Sequence, residues 1–289
     1  MIKDYMILYT FNNREIALFI YLLIFIIWSI TKKQIRESIF KIFKSLTDKL
    51  ILLSILALLI YVDLIIFGLY YLKFWDFTLL KDTIYWTFGV GFIMMMNTNK
   101  AIQEEHYFKN ILKDNFKLVL ILEFILGLYV FGFITELILA PIVILFSILL
   151  AISETSKEYY QVRNFLQILF GIIGIGYLIF SFYKIYQDFS EFASYGTLKS
   201  FLFPILMMIL FLPFIYLYTL FIQYESLFVR LGFSLKDDKV LRRYAKKRIL
   251  IAVNISLLKL KKIRPGFLFH ECKTKDDIDL EIRRKLSIK

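Results

Sequence analysis

Three acids stand where a charge is expensive: Asp63 near the middle of an apolar run, Glu123 one to two turns into another, and Glu136 at that second run's outer end. A charge at the centre of a bilayer costs about 2.5–3.5 kcal/mol on insertion scales, so such residues usually face a partner or a water-filled path. Asp63 therefore divides between an ion-path residue and a buried, hydrogen-bonded structural acid. Glu123 reads as paired with a nearby lysine or held at the inner interface, and Glu136 as an interfacial loop acid. All three are candidates for lining a pore.

The opposite charge gathers near the C-terminal end. Arg242, Arg243, Lys246, Lys247 and Arg248 form a dense block, with Lys259, Lys261 and Lys262 beyond it. Between 236 and 264 there are eleven Lys/Arg and two acids. Such a block fits plain membrane topology, an anionic lipid surface at about 1 kcal/mol per near-surface cation, or a soluble polyanion bound by counterion release. Tyr244 is the single aromatic within the five-cation block. Base stacking thus has thin support, and charge alone favours lipid or topology.

Other chemistry finds no footing. Gly171, Gly174 and Gly176 lie inside an apolar run, where small residues let helices approach closely; Gly127 and Gly132 read the same way. His270-Glu271-Cys272 groups three metal-ligand types, but the other histidine is His106 and no second cysteine exists. Structural zinc wants four ligands at recognisable spacing. There is no nucleophile elbow and no kinase signature. The sequence implies no enzyme, no cofactor and no metal. The lone Cys272 also excludes an internal disulfide.

The elements that must position these groups are long apolar blocks. The chain has 289 residues, 59% of them hydrophobic, above the roughly 45–50% of soluble domains. Apolar runs at 16–31, 50–72, 83–96, 118–135, 141–153, 165–183 and 201–223 predict seven transmembrane helices, the third and fifth of them short. Glu136 and Pro141 predict a tight hairpin between the fourth and fifth. The start of the chain is too mixed for a cleavable signal peptide. Of the 36 Lys/Arg, thirty fall in one set of alternate connecting segments and six in the other. By the positive-inside rule this puts the N-terminus outside and the C-terminus in the cytoplasm.

Two inner segments carry helical periodicity. In 32–50, Ile35, Ile39, Ile42, Phe43 and Leu46 alternate with Lys33, Arg36, Lys41 and Lys44, which suits a basic helix lying on the inner leaflet. The segment 101–117 is a weaker version. Pro204 and Pro213 are expected to kink the last span. The tail is expected to begin near Tyr224, with Ser234 capping a helix that runs to about Lys262 before Pro265-Gly266, and a short helix over Asp276–Lys285. The expected fold is an all-α integral membrane protein, with a transmembrane bundle over 1–230 and a basic cytoplasmic helical tail over 231–289.

Three strings carry a resemblance: Asn12-Asn13-Arg14-Glu15-Ile16, Leu80-Lys81-Asp82-Thr83-Ile84-Tyr85-Trp86, and Leu227-Phe228-Val229-Arg230-Leu231 followed by Leu235-Lys236-Asp237-Asp238. Over nearly its whole length the chain resembles a group of small bacterial membrane proteins, and it is similar to the membrane effectors of the Hailong anti-phage defence system. The resemblance implies a homo-oligomeric ion channel that depolarises the inner membrane. It also implies a partner nucleotidyltransferase making short single-stranded DNA that controls the channel. The strings are not mechanistic motifs and transfer no site residues. A secondary transporter or a membrane scaffold is the competing class, although no internal repeat of the kind carriers show is evident.

Overall fold

A computed structural model describes residues 11–98, 100, 107, 111, 118–235, 238–263, 272 and 274–287, without the side chains of 118–120 and 123. Among the described residues every regular element is helical. Five helices are long and apolar enough to cross a membrane by length and composition: Asn13–Thr31, Lys49–Tyr71, Phe133–Ser153, Lys157–Gln187 and Tyr195–Ser234. Their exposed faces are aliphatic and aromatic, for example Leu23, Phe25, Ile27 and Trp28 on the first. Apolar surface this extensive marks a membrane or partner surface, so the helices are compatible with a membrane location.

The chain divides into two compact units: Met1–Ile84 with Asp114–Ile205, and Tyr85–Lys113 with Leu206–Lys289. The first contains α1 (Asn13–Thr31), α2 (Lys33–Leu46), α3 (Lys49–Tyr71), the start of α4 (Leu80–Trp86), and, after a π-helical turn at Thr87–Gly91 and α5 (Phe92–Met96) in the second unit, α6 (Leu118–Leu128), α7 (Phe133–Ser153), α8 (Tyr160–Gln187), α9 (Phe189–Phe192) and the first turns of α10 (Tyr195–Ser234). Helix α1 starts at a capping box. Asn12 Oδ1 accepts from the Glu15 amide at 2.9 Å, and the Glu15 carboxylate accepts from the Asn12 amide at 2.8 Å. Helix α7 packs on α1 and α8, and α8 packs on α6. Helix α2 has the expected basic amphipathic pattern and buries no residue, with Phe40, Ile42 and Phe43 exposed.

The expected hairpin at 136–141 is corrected. The chain leaves helix at 129–132, and both Glu136 and Pro141 lie inside α7. Each apparent breaker has a compensating partner. Proline lacks the N–H that would reach the carbonyl four residues back. For Pro141 that carbonyl belongs to Leu137, and the Tyr21 hydroxyl donates to it at 2.9 Å. Glu136 folds back instead, accepting from the Phe131 amide at 2.9 Å and so closing the end of the helix.

The second unit holds the rest of α4, the π-helical turn, α5, most of α10, α11 (Lys239–Val253), α12 (Leu257–Ile263) and α13 (Lys275–Ser287). Helix α10 has 40 residues and includes Pro204 and Pro213. At about 1.5 Å per residue that is roughly 60 Å, about twice a bilayer core. Its buried stripe recurs at every fourth residue: Phe203, Met207, Phe211, Ile215, Thr219, Gln223, Leu227, Leu231 and Leu235. Helix α10 runs through the expected tail start at Tyr224: hydropathy falls there, but the buried period does not. Ser234 is no cap; its hydroxyl donates back to the Arg230 carbonyl at 3.2 Å. Asp238 caps α11 instead, accepting from the Leu241 amide at 2.7 Å.

The expected single helix to Lys262 is also broken, at Asn254, whose φ of 51° is among the backbone angles that asparagine tolerates better than most residues. Leu241, Ala245, Ile249 and Val253 of α11 share one core with Leu227, Leu231 and Leu235 of α10, with Leu260 and Ile263 of α12, and with Ile278 and Ile282 of α13. The last helix matches the expected Asp276–Lys285 with a residue or two added at each end. The 101–117 amphipathic segment, the Lys236-Asp237 pair, Pro265-Gly266, His106, His270 and Glu271 lie outside the described residues, apart from single positions at 107 and 111.

Candidate functional site

The three acids meet three different fates. Glu136 sits in the first turn of α7 with 1% of its surface exposed. Arg14 of α1 faces it, Nε to Oε2 at 3.4 Å and Nη2 to Oε1 at 3.5 Å. The Tyr177 hydroxyl of α8 donates to Oε2 at 3.2 Å, and the Arg14 guanidinium lies over the Tyr177 ring at 4.8 Å. Arg14 also donates to the Leu126 carbonyl of α6 at 3.3 Å, and Asn13 Nδ2 to the Phe131 carbonyl at 3.0 Å. The Arg14 charge, the Tyr177 hydroxyl and the Phe131 amide thus satisfy a buried carboxylate, and the cluster ties α1, α6, α7 and α8 together. A buried acid without such partners would be strongly destabilising. Beside this cluster is an apolar cavity of about 320 Å3, walled by Leu18, Ala140, Val143, Phe170 and Gly174. Glu136 is therefore a buried, paired acid rather than a loop acid at an interface.

Asp63 is the reverse case. It lies on α3 away from the face that buries Leu58, Val62, Ile65 and Leu69. Its carboxylate is exposed, among exposed Leu59, Ile60, Leu64 and Phe67, and makes no hydrogen bond or ion pair among the described residues. Glu123 belongs to α6, with its side chain outside the described residues.

The basic block is divided by helical geometry. With Leu241, Ala245 and Ile249 buried, Arg243 and Lys247 project outward, while Arg242, Lys246 and Arg248 are half-buried. Arg248 is committed to structure: its Nε donates to Asp279 Oδ1 of α13 at 2.7 Å, and the Tyr244 hydroxyl donates to Asp279 Oδ2 at 3.0 Å. The hydrogen bond from Arg248 holds the Asp279 carboxyl below the usual carboxylate range; partial burial opposes it and Tyr244 assists it. The Lys246 ammonium lies 5.0 Å from the centre of the Phe228 ring, a cation–π contact. Lys259, Lys261 and Lys262 are exposed on α12. The free electrostatic face of the tail is thus narrower than the sequence suggests.

A further ion pair, Lys199 with Asp76, joins the start of α10 to the loop after α3. Burial works against the Asp76 anion, yet hydrogen bonds from Lys199 and Thr78 leave its carboxyl below the ordinary range. Arg14 and Tyr177 were missed as site residues in the sequence. One signal pointed to Arg14: the capping box fixes it in the first turn of α1, and its charge is opposite to that of Glu136.

No family model matches the chain, and no curated protein or solved structure matches it.

Proposed function

We propose that the chain is a multi-pass subunit of an oligomeric ion channel in a bacterial inner membrane, with its N-terminus outside and its basic tail in the cytoplasm. In this proposal it acts as an anti-phage effector that depolarises the membrane. A short single-stranded DNA or nucleotide ligand, made by a partner nucleotidyltransferase, controls it. The defence role and the partner rest on the family resemblance. The charge asymmetry of the connecting segments supports the orientation. Seven crossings follow if the Leu80–Met96 run and α6 also span.

One observation carries the channel: Asp63, an exposed carboxylate with no partner among the described residues, on an otherwise apolar helix face. Left in lipid it would be costly, and copies meeting around a polar path relieve that cost. Asp63→Asn in reconstituted bilayers should lower single-channel current at normal expression; unchanged current removes Asp63 from the path. For control, Arg242, Arg243, Lys246 and Lys247 replaced by glutamine should abolish binding of short single-stranded DNA, which in the native chain should weaken steeply with salt. Equal affinity and salt slope in the variant would remove the tail as ligand site. External labelling of a cysteine at position 190 tests the orientation, and labelling from the cytoplasmic side alone refutes it.

A carrier is favoured by a different observation, the buried Glu136 beside its cavity. Saturable flux without single-channel steps would select it.

A further inference from the structure

We propose that the elbow between α11 and α12, residues 250–258, dips into the inner leaflet, and that Lys259 and Lys262 beside it hold anionic phospholipid headgroups. This rests on α10 crossing the membrane with the tail in the cytoplasm, and is independent of the channel.

The placement follows from how the tail folds back. Helix α11 packs along α10 in one core with Leu220, Leu227, Leu231 and Leu235, so the chain reverses direction after Leu235 and runs back beside the helix it has just left. Two hydrogen bonds fix how far back it goes. The Tyr224 hydroxyl donates to the Asn254 carbonyl at 2.6 Å, and the Tyr216 hydroxyl donates to the Ile255 carbonyl at 2.8 Å. These satisfy carbonyls that the break at Asn254 leaves unpaired. From Tyr224 to Tyr216 is about 12 Å along α10. The elbow therefore lies level with the last apolar turns of that helix, where Leu217 and Phe221 are themselves exposed.

The chemistry of the elbow agrees with that depth. Leu250, Ile251, Ile255 and Leu258 are 47%, 59%, 65% and 69% exposed. Such a patch is poorly suited to water and unneeded for a soluble polyanion. Lys259 and Lys262 are exposed on the same short helix as Leu258. Aliphatic side chains beside lysines are the composition of a segment lying at an anionic bilayer surface.

The test uses the full chain in nanodiscs, with Cys272→Ser and a single new cysteine carrying an environment-sensitive fluorophore. Labels at Ile255→Cys, at Leu217→Cys as a span position, and at Asp276→Cys as a water position are compared against lipids bearing a quencher on the acyl chain. Quenching at 255 matching that at 217 is expected. Behaviour matching 276 overturns the proposal. In a second arm, Lys259→Gln and Lys262→Gln should each lower binding of fluorescent phosphatidylglycerol about fivefold, with phosphatidylcholine binding unchanged. Retained preference overturns the headgroup assignment. If short single-stranded DNA binds to these lysines and phosphatidylglycerol does not, the face is a polyanion site and the proposal falls. Absent currents alongside a quenched elbow would refute only the channel.

Discussion

Tyr21→Phe removes a single hydroxyl, the one that satisfies the Leu137 carbonyl freed by Pro141. Hydrogen bonds between membrane helices average about 0.6 kcal/mol and reach about 1.7. This carbonyl has lost its own helical donor, so the upper part of that range applies, about 1 to 1.5 kcal/mol. For a chain of this size that lowers the melting temperature by about 1.5–2.5 °C. The decisive comparison is a double-mutant cycle with Pro141→Ala, measured by thermal unfolding of the purified protein in detergent. Alanine restores an N–H that bonds Leu137 within α7, so Tyr21→Phe should then cost little. A non-zero coupling of about 1 kcal/mol is the expected signature. An equal cost of Tyr21→Phe in both backgrounds would refute the compensation.

Arg14→Leu leaves the buried Glu136 carboxylate without its counter-charge and should destabilise by about 3–5 kcal/mol, whereas Arg14→Leu with Glu136→Leu should recover much of it, read by the same melts. Gly91→Val should cost about 1–3 kcal/mol from overpacking, because a Cβ there meets Trp86 Cζ3 at 3.1 Å, and Trp86→Phe should relieve part of the loss. Asp279 has a lowered folded value, so its stabilisation of α13 is present above the ordinary aspartate value of 3.8 and lost as pH falls through the lowered one. Hydrogen-exchange protection factors over Lys275–Ser287, corrected for the intrinsic rate at each pH, should fall on that acid limb; Arg248, Tyr244 and Arg283 also act on this carboxyl, Asp276 acts on Tyr244, and Asp279→Asn should flatten the dependence.

The long helices were legible because apolar length is a local signal. The positions of their ends were legible only where the partner was local too. The acids opening α13 mark that helix locally, whereas the expected span at 16–31 starts three residues inside the helix that the Asn12–Glu15 capping box opens. Glu136 and Pro141 look like breakers to any window, since what cancels them arrives from Arg14 and Tyr21, more than a hundred residues away. Separation along the chain, though shorter, also hid the division of the basic block. Arg248 reads as one cation among five until Asp279, 31 residues on, takes it out of circulation. Asp63 was found from sequence because its cost needs only a hydropathy profile, but whether it faces inward or outward depends on which side of α3 the rest of the chain occupies.

The fourfold stripe of α10 has a mechanical consequence. Four residues overshoot a helical turn by about 40°. Between Met207 and Leu235 the buried positions therefore wind through about 280° rather than running straight down one side. Side chains seated along such a thread resist sliding unless the helix also turns. Within its unit α10 behaves as a screw in a nut: an axial pull at Leu235 reaches Met207 and Phe211 as torque.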